Sequence, residues 1–278
     1  MDQFLKKVLV FAVSWWVYWV HFFAPKKGVV LAYRYFSEPR KGKLNKQDLP
    51  AVLQRAEVKM VSWSTHFFPV YFWNFQHSES VLLVHGWESN AARWESFISC
   101  LAKKFNVYAI DAPAHGLASG KEFNAILYAQ FIQKAQELFP TEYLVGHSMG
   151  GMACYFYAYQ NPQTQMKKMV LLAAPATLKQ LIVNFAQLLQ LNPKLLRQLE
   201  DFFVAQFNYR FDEFSIENFG SKIVLEGMIV HDTEDDVVRF EEAQKINQAW
   251  KKAFLQPTKG LGHHLQDVDL YQSIMAFL

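Results

Sequence analysis

TEYLVGHSMGGMA, residues Thr141–Ala153, places one serine between glycines at the exit of a strand-like run. Glu142–Val145 lean towards strand, and the apolar run after Gly151 has helical character. A tight strand-to-helix turn forces its central residue into a strained backbone conformation. Side chains two positions to either side would then collide with neighbouring backbone. Gly146 and Gly150 remove those clashes and leave the Ser148 hydroxyl projecting above the sheet. The following helix points its amino terminus at the same spot, where its dipole favours an anion. The pattern predicts a nucleophile standing clear of its surroundings.

Outward from this turn, strand-like and helix-like stretches alternate. MVSWSTHFFPVYFWNF (60–75) reads as an opening pair of strands. SVLLVHGW (80–87) is a short apolar run ending in a turn, and AARWESFISCLAKKF (91–105) is helical with a cap at Ser89 or Asn90. NVYAIDAPAHG ends in a Pro/Gly loop, KKMVLLAAPA supplies a further strand, and GMIVHDTEDD resumes the pattern after a helical insertion. AFLQPTKGLGHH carries the last strand and LQDVDLYQSIMAFL closes as a helix. Apolar strands alternating with helices predict an α/β fold, with a mostly parallel central sheet and helices on both faces. In such sheets functional loops gather at the carboxyl ends of the strands, and each motif discussed here lies at one.

A serine nucleophile needs a base, and the base an orienting acid. His263, after the final strand, is the preferred base because Gly262 lets the backbone pass near the serine; His264 is the rival. For the acid, HDTEDD offers Asp232, Glu234, Asp235 and Asp236. Asp235 is preferred over Asp232 because four residues beyond the strand-ending His231 allow a turn that aims the side chain inward. Acyl transfer also needs donors for a developing oxyanion. The backbone N–H groups of Trp87 and Met149 are the candidates.

With LLVHGW, IDAPAHG, LVGHSMGG, IVHDTEDDVV and GLGHH in order, Val81–Leu278 resembles the α/β-hydrolases. The order serine, acid, histidine is that family's. The resemblance implies a triad of Ser148, Asp235 and His263, with Trp87 and Met149 at the oxyanion hole and structural roles for Asp111 and His115. The chain departs from many relatives in reading His231-Asp232 where they carry His-Gly. A serine nucleophile implies ester or thioester hydrolysis and disfavours the branches that use aspartate. The alternatives are a thioesterase, other chemistry on the same triad, or a binding protein that keeps the fold without turnover.

The 278 residues suit one large domain with an insertion and an extra segment, and 51% hydrophobic residues supply a substantial core. Residues 51–278 form the predicted hydrolase domain, with a helical lid insertion at about 177–220. Its leucines and phenylalanines recur at helical spacing, which suits a lid packed on the core and an apolar acyl pocket. Cys100 and Cys154 read as two buried thiols. No spacing of His, Cys or acidic residues suggests a metal site, and no cofactor is expected.

The net charge of +3 is uneven: the chain up to Lys46 carries +7 and the remainder −4. A nucleic-acid binder would carry its positive charge on the folded domain, so that class is excluded. Residues 1–36 read as a hydrophobic N-terminal helix and 37–50 as a polar linker. Val8–Ala24 holds no Asp, Glu, Lys or Arg, is rich in Trp and Tyr, and has lysine pairs on both sides. Its seventeen residues stand at the lower limit for spanning a bilayer. The absence of a small-x-small site argues against a cleaved leader. A spanning or interfacial anchor through residues 4–24 is the preferred reading, and a helix docked on the protein's own lid or core the alternative. As an anchor it would place the main domain on the cytoplasmic face, where flanking lysine and arginine stay. The overall expectation is a membrane-associated serine esterase or lipase-like hydrolase acting on a lipophilic acyl ester.

Overall fold

The computed structural model describes residues 3–278; Met1 and Asp2 of the 1–36 segment, and the side chains of Gln3, Phe4 and Lys6, lie outside the described residues. The chain divides into two compact units. One comprises Pro39–Ala176 with Ile216–Leu278, and the other comprises the start of the chain up to Glu38 with Thr177–Ser215.

The larger unit is built on eight strands: β1 (Glu57–Trp63), β2 (His66–Trp73), β3 (Ser80–Val84), β4 (Asn106–Ile110), β5 (Tyr143–His147), β6 (Lys168–Leu172), β7 (Glu226–Asp232) and β8 (Ala253–Thr258). Their order across the sheet is β1-β2-β4-β3-β5-β6-β7-β8. The first two ladders, β1 with β2 and β2 with β4, are antiparallel, and all others are parallel. A parallel sheet buries both faces, which explains why β3 and β5 are buried throughout and read as unbroken apolar runs. Successive side chains point to opposite faces. On one side Val81 and Leu83 join a cluster with Phe97, Tyr271 and Ile274, where the Phe97 and Tyr271 rings stack at 4.6 Å. Elsewhere Phe131, on helix Ala125–Leu138, stacks on Phe68 of β2 at 4.2 Å. Burying each such aromatic is worth roughly 2–3 kcal/mol.

Residues 39–50 are tied to this unit rather than hanging free. Lys43 bridges to Gly116, and the Leu44 N–H donates to the Gly116 carbonyl at 3.1 Å. The short helix Ile216–Phe219, which the sequence reading included in the insertion, also belongs here. Its Phe219 ring stacks on Tyr159 at 4.5 Å and contacts Phe156 at 5.3 Å.

The smaller unit joins pieces far apart in sequence. The insertion forms two helices, Leu178–Leu188 and Pro193–Phe207, capped by Thr177 and Asn192. Its ends are pinned together by a Thr177–Ser215 bridge. The N-terminal segment forms two helices, α1 (Gln3–Phe23) and α2 (Pro25–Ser37), broken at Ala24 where Pro25 opens the second. Both pack on the insertion: Ser14 donates to the Leu189 carbonyl, His21 Nε2 meets Gln198 Oε1 at 2.7 Å, and Tyr33 contacts Phe202 at 5.0 Å. Among the described residues no helix is long and apolar enough to cross a membrane. Among the described residues the charge rule applied to the sequence has no spanning helix to orient.

Candidate active site

Ser148 stands between β5 and helix Met149–Gln160 with φ 53° and ψ −125°, far from either regular structure. Such backbone costs of order 1–3 kcal/mol and persists only when the surroundings hold it. Here the Ser148 N–H donates to the Leu172 carbonyl at 2.8 Å, tying the turn to β6. The flanking glycines are sterically required. A Cβ on Gly150 would lie 2.3 Å from the His85 carbonyl oxygen and 2.4 Å from that of Val84. One on Gly146 would meet Cys154 Sγ at 2.6 Å and Gly151 Cα at 2.7 Å. Ser148 itself is 8% exposed.

His263 arrives from the loop after β8 and Asp235 from the loop after β7. The Ser148 Oγ lies 3.1 Å from His263 Nε2, and His263 Nδ1 lies 2.8 Å from Asp235 Oδ2. Carboxylate oxygens only accept, so Nδ1 carries the proton and Nε2 is left to accept from the serine hydroxyl. Burial pushes the Asp235 carboxyl up, but donors from His231, His263 and the Val238 N–H outweigh it and hold it well below the usual carboxylate range. Its Oδ1 accepts from the N–H groups of Val237 and Val238 at 2.8 and 2.9 Å. An alcohol bonded to an imidazole whose far nitrogen is held by a carboxylate can surrender its proton while attacking an electrophile.

The rival residues lie elsewhere. Asp232 accepts from the Glu234 N–H, the Thr258 hydroxyl and the Gly260 and Leu261 N–H groups at 2.8–3.2 Å. It ties together the loops that carry Asp235 and His263, and burial, which raises its carboxyl, is outweighed by these donors. His264 is exposed, and its carbonyl accepts from Arg93.

The N–H groups of Trp87 and Met149 meet no acceptor among the described residues. Met149 opens a helix, where the first N–H groups lack intrahelical partners. The turn holding Trp87 is set by two buried histidines. His85 donates from Nδ1 to the Gly86 carbonyl at 2.8 Å and accepts from the Ala112 N–H at 2.9 Å. His115 Nε2 accepts from the Glu88 N–H at 2.9 Å. Burial pushes the His85 imidazole far down and His115 to about 4, so both are neutral acceptors. Asp111 accepts from Tyr71 and from the Ala91 and Leu117 N–H groups, a structural task. The Trp87 indole packs edge-on against His115 and Phe123.

Sequence reasoning missed two histidines. His147 Nε2 donates to the His263 carbonyl at 2.8 Å, holding the backbone of the residue that meets Ser148. His231 is fully buried, with Nε2 2.7 Å from the Val238 carbonyl and 3.4 Å from Asp235 Oδ2. His147 occupied a variable position of the serine motif and carried no signal of its own. His231 offered one signal, a histidine ending a buried strand.

Known proteins share parts of this arrangement. A pimeloyl-[acyl-carrier protein] methyl ester esterase of Proteus mirabilis is 28% identical over 101 residues, covering 34% of this chain and 36% of its own. The curated relatives are matched over about a third of their own length. Among solved structures, a membrane phospholipase A superposes with TM-score 0.63 at 16% identity, covering 100% of this chain and 98% of its own. The thioesterase domain of a curacin biosynthetic pathway gives 0.60 at 17%, covering 80% and 97%. These structural likenesses concern the fold. The model of the alpha/beta hydrolase fold family matches residues 79–223, more than half of the chain and including β3 to β6 with the serine turn, and the chain belongs to that family.

Proposed function

We propose that this protein is a serine hydrolase that cleaves lipophilic carboxylic esters through an acyl-enzyme. The observation that carries the reading is the continuous hydrogen-bonded chain from Ser148 through His263 to Asp235. Ser148 Oγ attacks the ester carbonyl carbon while His263 Nε2 takes its proton. The oxyanion is received by the Met149 and Trp87 N–H groups. As the tetrahedral carbon collapses, the C–O bond to the alcohol breaks and the alcohol leaves with the proton held on His263. Water, deprotonated in turn by His263, releases the acid and restores Ser148. Asp235 keeps the imidazole in the required tautomer and stabilises its transient charge.

The apolar helical insertion and the exposed aromatic helix α1 favour a lipophilic substrate met at a membrane surface over a small polar one. A fluorophosphonate probe should form a stable adduct at Ser148 that is absent in Ser148→Ala. A panel of short- and long-chain p-nitrophenyl esters beside acyl-CoA then separates esters from thioesters. No adduct on folded protein would overturn the reading and leave a binding protein of the same fold.

A further inference from the structure

Helix α1 wears its polarity reversed. Its packed side holds Ser14 and His21, both hydrogen-bonded to the insertion, around the fully buried Val17. Its outer side presents Phe11, Trp15, Trp16, Phe22 and Phe23, each half or more exposed, with Tyr18 and Trp19 among them. A surface helix ordinarily turns such residues inward. Several of these rings contact one another: Trp15 meets Trp19 at 6.0 Å and Trp19 stacks on Phe23 at 5.8 Å.

Beside this face runs an open groove of about 390 Å³ between α1 and α2. Trp16 and Val20 form one wall, and Val30 and Leu31 the other. Lys26, Lys27 and Arg34 supply three positive charges along it. Lys27, Val30, Leu31 and Arg34 share one stripe of α2 at helical spacing, so charge and apolar wall face the same space. Arg34 is paired with Glu38 at 2.8 Å. Among the described residues, neither lysine has a carboxylate partner, and both are exposed.

We infer that this groove receives the phosphate of an anionic phospholipid headgroup, with Lys26 and Lys27 as its ligands. Helix α1 then lies along the membrane, its aromatic face in the boundary between headgroups and acyl chains. Trp16 belongs to both the groove and the aromatic face, which makes them one continuous surface. Only a lipid layer presents anionic phosphate and hydrocarbon side by side over such a length. An apolar helix face and a basic patch are together the two contributions that stable peripheral attachment requires. The inference rests on the membrane-surface part of the function proposed above and is independent of the triad.

Full-length Ser148→Ala protein, which should leave lipids uncleaved, is sedimented with vesicles of phosphatidylcholine alone or with added phosphatidylglycerol. The anionic vesicles should bind about 25-fold more tightly, about fivefold for each lysine. Lys26→Gln/Lys27→Gln should bring the two vesicles to near parity while binding to phosphatidylcholine persists. Trp15→Ser/Trp19→Ser should weaken both. Equal binding of the parent protein to the two vesicles, or a preference unchanged in the lysine variant, overturns the inference. So does displacement by millimolar inorganic phosphate, which marks a site for the free ion. Absence of vesicle binding in a chain that light scattering shows to be dimeric overturns it too, the face then joining two copies. The lysine variant with Ser148 intact should turn over p-nitrophenyl acetate like the parent, which shows that it folds. If neither hydrolyses any ester yet the vesicle preference holds, the triad reading fails and the groove stands.

Discussion

His263 Nε2 lies 3.1 Å from Ser148 Oγ although 115 residues separate them along the chain. The loops after β5 and β8, with two strands between them in the sheet, produce the meeting, and Asp235 reaches His263 from the loop after β7 at 2.8 Å.

Substitution should therefore separate the two aspartates of the acid loop. Asp235→Asn leaves the imidazole free to adopt the wrong tautomer, and kcat on a short p-nitrophenyl ester should fall about 10⁴-fold. Asp232→Asn, whose oxygens bond loop N–H groups and Thr258 rather than the imidazole, should cost less than about tenfold in kcat. Its effect should fall on thermal stability instead. Equal losses of kcat in the two variants would reject the assignment of Asp235.

The serine turn should tolerate no side chain at Gly150. Backbone carbonyls of Val84 and His85 crowd that position, and backbone cannot rotate away as a side chain can. Gly150→Ala should lower stability by about 3 kcal/mol, measured by denaturant unfolding, and abolish probe labelling. A variant with parental stability would show that β3 and the helix after Ser148 can move apart.

His147 should position rather than react, since its ring meets the His263 carbonyl. His147→Ala leaves the His263 carbonyl without its donor and should lower kcat about tenfold with KM little changed, the loss of one hydrogen bond felt only as the imidazole works. His147→Gln, which keeps an N–H donor, should recover part of the rate. A rise in KM at constant kcat would place His147 in substrate binding instead.

Acid should destabilise the fold in two stages. His85, His115 and His147 are all held below the ordinary histidine value by burial, His115 at about 4. A histidine with a lowered folded pKa gains its proton on unfolding. Stability is thus complete above the unfolded value near 6.5 and falls as pH drops through the interval below it. Each histidine should contribute a slope of up to about 1.4 kcal/mol per pH unit there. Asp235, depressed in the fold, keeps its contribution above the unfolded aspartate value near 4 and loses it progressively below. Melting temperature followed from pH 8 to pH 3 should bend first near 6.5, and His115→Gln should reduce that first slope.

Most of the sheet was legible because β3, β5, β6 and β7 are buried on both faces, and such strands leave unbroken apolar runs. The serine turn was legible because the backbone contacts around Gly146 and Gly150 exclude every larger residue. Choosing between Asp232 and Asp235 was harder: both lie in one acidic loop, and only three-dimensional donors distinguish them. His147 left no trace, since a hydrogen bond to a carbonyl 116 residues away imposes no local pattern. The packing of α1 and α2 on the insertion was read only as the alternative to an anchor, for a related reason. Each segment shows its own helical period, but neither states which other segment will cover it. The single helix read over residues 1–36 is in fact two, because Pro25 suits the first turn of a new helix and opens α2.

The smaller unit also constrains how the chain is made. Ser14 meets a carbonyl 175 residues further on, so its partner does not exist until most of the protein has left the ribosome. At roughly 5–20 residues per second the inner side of α1 waits about 10–35 s for the insertion to emerge. Throughout that wait the side of a tryptophan-rich helix that meets the insertion is uncovered, and a chaperone or a nearby bilayer that captures it early would decide whether the nascent polypeptide matures or aggregates.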